Sequence, residues 1–146
     1  MKKTSRPFRT LLLPLLALAL PAWAQTAHRI DPEHVNKYWI LINQTVDVDV
    51  PNSGSNLDKP GCAAVSYTIG SDGVPRDLKL EKVAPASDLG QVALSAVSHF
   101  RYGPSLGNRG SDPVRTYYVV PFNAPPGADG QRQVMAPCRL AGYAAD

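Results

Sequence analysis

The sequence predicts an α+β domain: a three-stranded, mostly antiparallel sheet with one helix packed on it, running β-β-α-β over residues 61–122. An N-terminal helix and a short strand extend it. Three observations carry the prediction. Residues 62–69 alternate in side-chain character and run into Gly70-Ser71-Asp72-Gly73. Residues 89–100 repeat apolar side chains at helical spacing. Residues 114–122, VRTYYVVPF, are β-branched and aromatic nearly throughout.

In the first strand Ala63, Val65, Tyr67 and Ile69 point one way and Cys62, Ala64, Ser66 and Thr68 the other. Asp72-Gly73 supplies the positive φ that a tight hairpin turn needs. The returning strand turns Leu78 and Leu80 inward and Asp77, Lys79 and Glu81 outward. Pro75 cannot donate to a ladder and marks an edge or a late start. Ser87 or Asp88 caps the helix, and Asp88 with Gln91 has the spacing of a capping box. Leu89, Val92, Ala93, Ala96, Val97 and Phe100 share one helical face, with small residues at 93 and 96 allowing close approach to the sheet. Tyr102-Gly103-Pro104 ends the helix, and residues 106–112 read as a mobile loop.

Before this unit, Asp31-Pro32-Glu33 is a helix-start signal, and Val35, Trp39 and Ile42 follow at i, i+4, i+7. A helix over 32–43 is expected, with a strand as its rival because YWILI is also strong β material. TVDVDV at 45–50 alternates as a short edge strand with outward carboxylates. Two aspartates two apart also occur in calcium loops, but those carry more oxygen ligands and a supporting glycine and glutamate; no metal site is expected. Residues 51–60 are loop by composition. Residues 123–130 break the pattern again, and a tail to 146 carries Cys138.

The N-terminus is a targeting segment. MKKTSRPFRT is basic, the next run is apolar for about ten residues, and Ala22-Trp23-Ala24 has the small-x-small form of a cleavage site, placing the new end at Gln25. The run is short of the roughly 20 apolar residues that a membrane span takes, so cleavage is expected and the mature chain carries no span. The domain reading is therefore 1–24 signal peptide, 25–60 N-terminal extension, 61–122 core unit and 123–146 tail. Four of the fifteen Lys and Arg residues fall in the first ten positions, leaving eleven against twelve Asp and Glu. The basic stripe of a nucleic-acid binder is absent. In an exported chain the two cysteines, Cys62 and Cys138, read first as a disulfide tying the tail to the first core strand. Two separate buried thiols are the alternative.

Three pieces in order resemble the C-terminal domain of the TonB family. GCAAVSYTIGSDG is similar to its opening strand and turn. Phe100, Arg101, Tyr102 and Pro104 are similar to the aromatic-Arg-aromatic-x-Pro end of its helix. RTYYVVPF is similar to its terminal strand. The resemblance implies a periplasmic module without cofactors whose last strand pairs with a peptide, as TonB pairs with the TonB box of an outer-membrane transporter. By that resemblance the partner-binding residues are Val114, Arg115, Thr116, Tyr117, Tyr118, Val119 and Val120. The chain departs from the family in its cleavable signal, the lack of a Pro-rich spacer, NLDKPG where a Tyr-Pro motif is usual, Pro75 and the Cys pair. A membrane-retained energy transducer and a small exported structural protein with no peptide ligand are the other readings.

An enzyme is not expected. Ser95 and His99 stand at i, i+4, but no acid at helical spacing orients the histidine. Arg101 is expected to brace the helix end or meet Asp112. Tyr117 and Tyr118 must face opposite sides of their strand.

Overall fold

The computed structural model describes residues 27–43, 45–48 and 50–144; the expected signal peptide and its expected Ala24/Gln25 cleavage site lie outside the described residues. Four strands make the main sheet, in the order β1 (His28–Arg29), β6 (Val114–Phe122), β3 (Gly61–Ile69), β4 (Pro75–Ala84). β6-β3-β4 is the expected antiparallel trio. The fourth strand, β1, joins β6 in parallel at Val114 and Arg115 and makes the sheet mixed. A second, two-stranded antiparallel sheet pairs β2 (Trp39–Leu41) with β5 (Tyr102–Pro104).

The faces follow the alternation. Ala63, Val65, Tyr67 and Ile69 are buried beneath α1 (Leu89–Ser98), together with Ala93, Val97 and Phe100. Helix and sheet pack tightly at Gly90, where an added Cβ would meet Leu80 Cδ2 at 2.7 Å and Val83 Cγ2 at 2.9 Å. On the opposite face Cys62, Ala64, Tyr117 and Val119 form a smaller core under the C-terminal tail. That tail contains α2 (Ala128–Met135) and a 3-10 turn at Ala136–Cys138, and Cys62–Cys138 is a disulfide. The turn at Gly70–Gly73 is fastened across the molecule: the Tyr102 N–H donates to the Gly73 carbonyl at 2.9 Å. A Cβ on Gly73, whose φ is +75°, would lie 2.0 Å from the Tyr102 carbonyl oxygen.

Several expectations are corrected. The helix start at Asp31 forms, with its carboxylate accepting from the Glu33 N–H at 2.9 Å, but it is a 3-10 helix that stops at Lys37. The rival reading holds for Trp39–Leu41, where the bulky residues extend to pair with β5 and Trp39 is buried, donating Nε1–H to the Asp112 carbonyl at 3.0 Å. The described part of 45–50 is in no ladder; alternation favours extended chain, but a strand also needs a neighbouring edge. The Asp88 side chain makes no cap to the helix. It accepts from the Ser55 N–H at 2.8 Å, and Ser87 Oγ takes the Leu89 N–H at 3.1 Å instead. Tyr102-Gly103-Pro104 is a strand rather than a plain exit from the helix. The loop after it is knitted by buried Asn108, whose amide accepts from the Asp112 N–H at 2.9 Å and donates to the Asp112 carbonyl at 3.2 Å.

Candidate functional site

A β-strand turns the N–H and C=O of one residue to one neighbour and those of the next residue to the other. In β6 the parity is fixed by one bond: the Ile30 N–H donates to the Arg115 carbonyl at 2.9 Å. The pairing with β3 runs without a bulge from Val114 to Phe122, so Tyr117, Val119 and Pro121 also face away from β3. The placement suits Pro121, whose missing N–H would otherwise interrupt the ladder. Beyond Arg115 β1 ends, Asp31 bonds to the Ala144 carbonyl at 2.7 Å, and Pro32 leads the chain off into the 3-10 helix. Among the described residues no hydrogen bond reaches the backbone of Tyr117, Val119 or Pro121 on this side. Two donors and three acceptors stand open along about 17 Å of strand.

Cavities lie on both flanks of this edge. One of about 260 Å³ is lined by Asp31, Glu33, Val119, Pro121, Met135 and Arg139. It lies on the tail side, where Glu33 and Arg139 approach to 3.5 Å across its rim. The other, of about 170 Å³, is lined by Val35, Trp39, Leu41, Tyr67 and Tyr102. Pro32, Tyr117 and Tyr118 border both, so the two cavities adjoin and together make up the candidate groove along β6. Its aromatic end is electrically quiet: the hydroxyls of Tyr67 and Tyr102 bond to each other at 2.7 Å. Burial pushes the Tyr102 phenol up to about 12, and burial and the neighbouring phenol push Tyr67 well above its ordinary range. Both stay neutral donors and acceptors at physiological pH.

The opposite edge of the sheet is a poor template. β4 opens with Pro75, holds Asp77 at φ +52°, shifts register twice against β3, and carries Arg76, Asp77, Lys79, Glu81 and Lys82. Prolines, irregularities and charges of this kind discourage strand addition. Ser66 Oγ–H donates to the Glu81 carboxylate at 2.7 Å and accepts from Arg115 Nη2 at 3.2 Å. The Ser66 bond, followed by the Lys79 ammonium, holds the Glu81 carboxyl below its usual range.

The residues singled out from sequence fall into three groups. Val114 and Arg115 are covered by β1, which corrects the expectation of an edge open along its whole length. Thr116, Tyr118 and Val120 turn their backbone to β3 and their side chains to the helix face. Thr116 is fully buried with no partner for its hydroxyl among the described residues, and Tyr118 is 39% exposed with its ring edge-on to Phe100 at 5.1 Å. Tyr117 and Val119 present their backbone to the groove and their side chains to the tail core, where the Tyr117 and Tyr143 rings lie 4.8 Å apart. Arg101 braces the helix end, donating from Nη1 to the carbonyls of Ser98 and Phe100. Sequence reasoning missed Pro32, Trp39, Met135 and Arg139 as groove residues. Trp39 was the one with a signal, a large aromatic in the stretch where helical and extended readings compete.

Among solved structures the chain is similar to the solution NMR structure of Pseudomonas aeruginosa TonB CTD, at 14% sequence identity and a TM-score of 0.45. The match covers 66% of this chain and 94% of that one. No family model matches the chain, and no curated protein matches it.

Proposed function

We propose that this chain is an exported protein-binding module that captures an extended peptide by adding it to β6 along Tyr117, Val119 and Pro121. The observation that carries the reading is the regular, unbulged β6 edge with its open backbone groups, set between two cavities, while the β4 edge is irregular and charged. In such binding, backbone hydrogen bonds give affinity and pockets for alternate side chains give selectivity. The sequence resemblance to the TonB family implies the periplasm as compartment and the TonB box of an outer-membrane transporter as partner. The disulfide fits an oxidising compartment, and among the described residues no helix is long and apolar enough to cross a membrane.

The test is Val119→Pro. Because the Val119 N–H faces the groove, proline there removes a donor that the fold does not use. Capture of extended peptides should fall at least tenfold while circular dichroism stays unchanged. Val120→Pro is the contrast, since that N–H belongs to the β3 ladder and its loss should damage the fold. Undiminished capture by Val119→Pro would move the binding surface elsewhere.

A further inference from the structure

The groove has a second wall with the same property as the first. In the β2–β5 ladder the Ile42 N–H donates to the Arg101 carbonyl at 2.8 Å, and the Ser105 N–H donates to the Tyr38 carbonyl at 2.9 Å. These bonds turn Tyr38, Ile40 and Ile42 toward β5. Trp39 and Leu41 therefore turn their backbone away from it. Two features on β5 agree. Pro104, without an N–H, stands opposite Trp39, and Tyr102, opposite Leu41, spends its N–H on Gly73. Among the described residues no hydrogen bond reaches the outer backbone groups of Trp39 or Leu41. Both residues line the same cavity as Tyr117 and Tyr118, and β2 is not paired with β6. Beside β6, the cavity thus has a second strand among its lining residues whose outer backbone groups are unpaired.

We propose that the occupant of this groove is an extended segment of another protein, hydrogen-bonded on both sides, to Tyr117 and Val119 of β6 and to Trp39 and Leu41 of β2. It would join the four-stranded and two-stranded sheets into one. This rests on the strand-capture reading above and adds a second row of bonds to it. The occupant is argued from continuity: β1 is a strand already added to this β6 edge, and the groove begins where β1 leaves at Asp31. A strand flanked on both sides cannot carry proline at any position that faces either wall. One alternate set of its side chains meets the buried phenols of Tyr67 and Tyr102, which favours Val, Ile or Thr there over charged residues.

The experiment is amide hydrogen exchange by NMR on the disulfide-intact protein. It is run with and without a capped synthetic heptapeptide alternating Val and Thr, at millimolar concentration. Slowing of at least tenfold at Trp39, Leu41, Tyr117 and Val119 together is the expected result. Slowing at Tyr117 and Val119 alone overturns the two-sided insertion and leaves simple strand capture standing. No slowing at any of the four overturns both. Slowing that grows with protein concentration in the absence of peptide makes a second copy the occupant and also overturns the proposal. Leu41→Pro gives an independent reading, because its N–H is not used by the β2–β5 ladder: peptide affinity should fall at least tenfold. Unchanged affinity in a variant with wild-type circular dichroism refutes the second wall.

Discussion

Removing the disulfide as Cys62→Ala with Cys138→Ala should destabilise the protein by about 4 kcal/mol. The two cysteines are 76 residues apart and both are buried. A closed loop of that length removes chain entropy from the unfolded state in the loop-closure account, and the loss on opening it is of that order. The change is large beside a typical total of roughly 5–15 kcal/mol. With a urea slope of about 1.5 kcal/mol per molar, the unfolding midpoint should drop by roughly 2–3 M. The assay is urea unfolding followed by far-UV circular dichroism, paired with hydrogen exchange. The exchange readout has a local expectation too. The Asp31 N–H bonds to Ala144 and the Ala144 N–H bonds to Arg29 at 3.2 Å, so loosening the tail should speed exchange at Asp31 before it speeds exchange in β3. A midpoint shift below about 0.5 M would refute the reasoning. The tail would then be held by the packing of Met135, Leu140 and Tyr143 together with its hydrogen bonds to Arg29, Asp31 and Lys82.

Two further outcomes concern single residues and a third concerns a pair of tyrosines. Thr116→Val removes a buried hydroxyl that has no partner among the described residues; it should raise stability by about 1 kcal/mol, read as a higher urea midpoint. Gly73→Ala puts a methyl against the Tyr102 carbonyl and forces a residue with a side chain to positive φ. It should cost at least about 2 kcal/mol and free the Tyr102 amide to exchange. At alkaline pH the Tyr67 and Tyr102 phenols are raised in the folded state from an ordinary 10.0, Tyr102 to about 12. The unfolded chain then ionises first. Stability should be full below pH 10 and fall as pH climbs through about 12. A double Tyr67→Phe, Tyr102→Phe variant should flatten that decline.

How much could be read from sequence depends on whether an element carries its own period. β3, α1 and β6 each bury a face that the alternation or the helical spacing displays, so their limits and inward residues were legible. The disulfide was legible because the expected export signal and an even cysteine count point the same way. Residues 32–43 were not settled, because proline and acids favour a helical start while Tyr38-Trp39-Ile40 favours extension, and a distant strand, β5, decides between them. His28–Arg29 is too short to show any pattern, and its pairing depends on Arg115, far along the chain. α2 buries none of its residues, so it has no apolar stripe to announce it. The groove draws on residues scattered between positions 31 and 41, at 67 and 102, on β6, and between 131 and 139. Its open backbone groups follow from parity in two separate ladders, and parity exists only once the strands have paired.

The small bridge between Ile30 and Ala144 has a consequence for how the chain reaches its final form. Residues 28–30 are clasped between β6 and Ala144, both far along the chain, so the clasp closes only once those remote residues are in place. Contacts this remote in sequence are slow to form, because a long loop must be ordered before they repay it. The β3–β4 hairpin and α1, local in sequence, fold without waiting. The groove wall built by Asp31 and Pro32 is then among the last parts assembled, so the proposed strand-capture edge takes shape only after the local elements have folded.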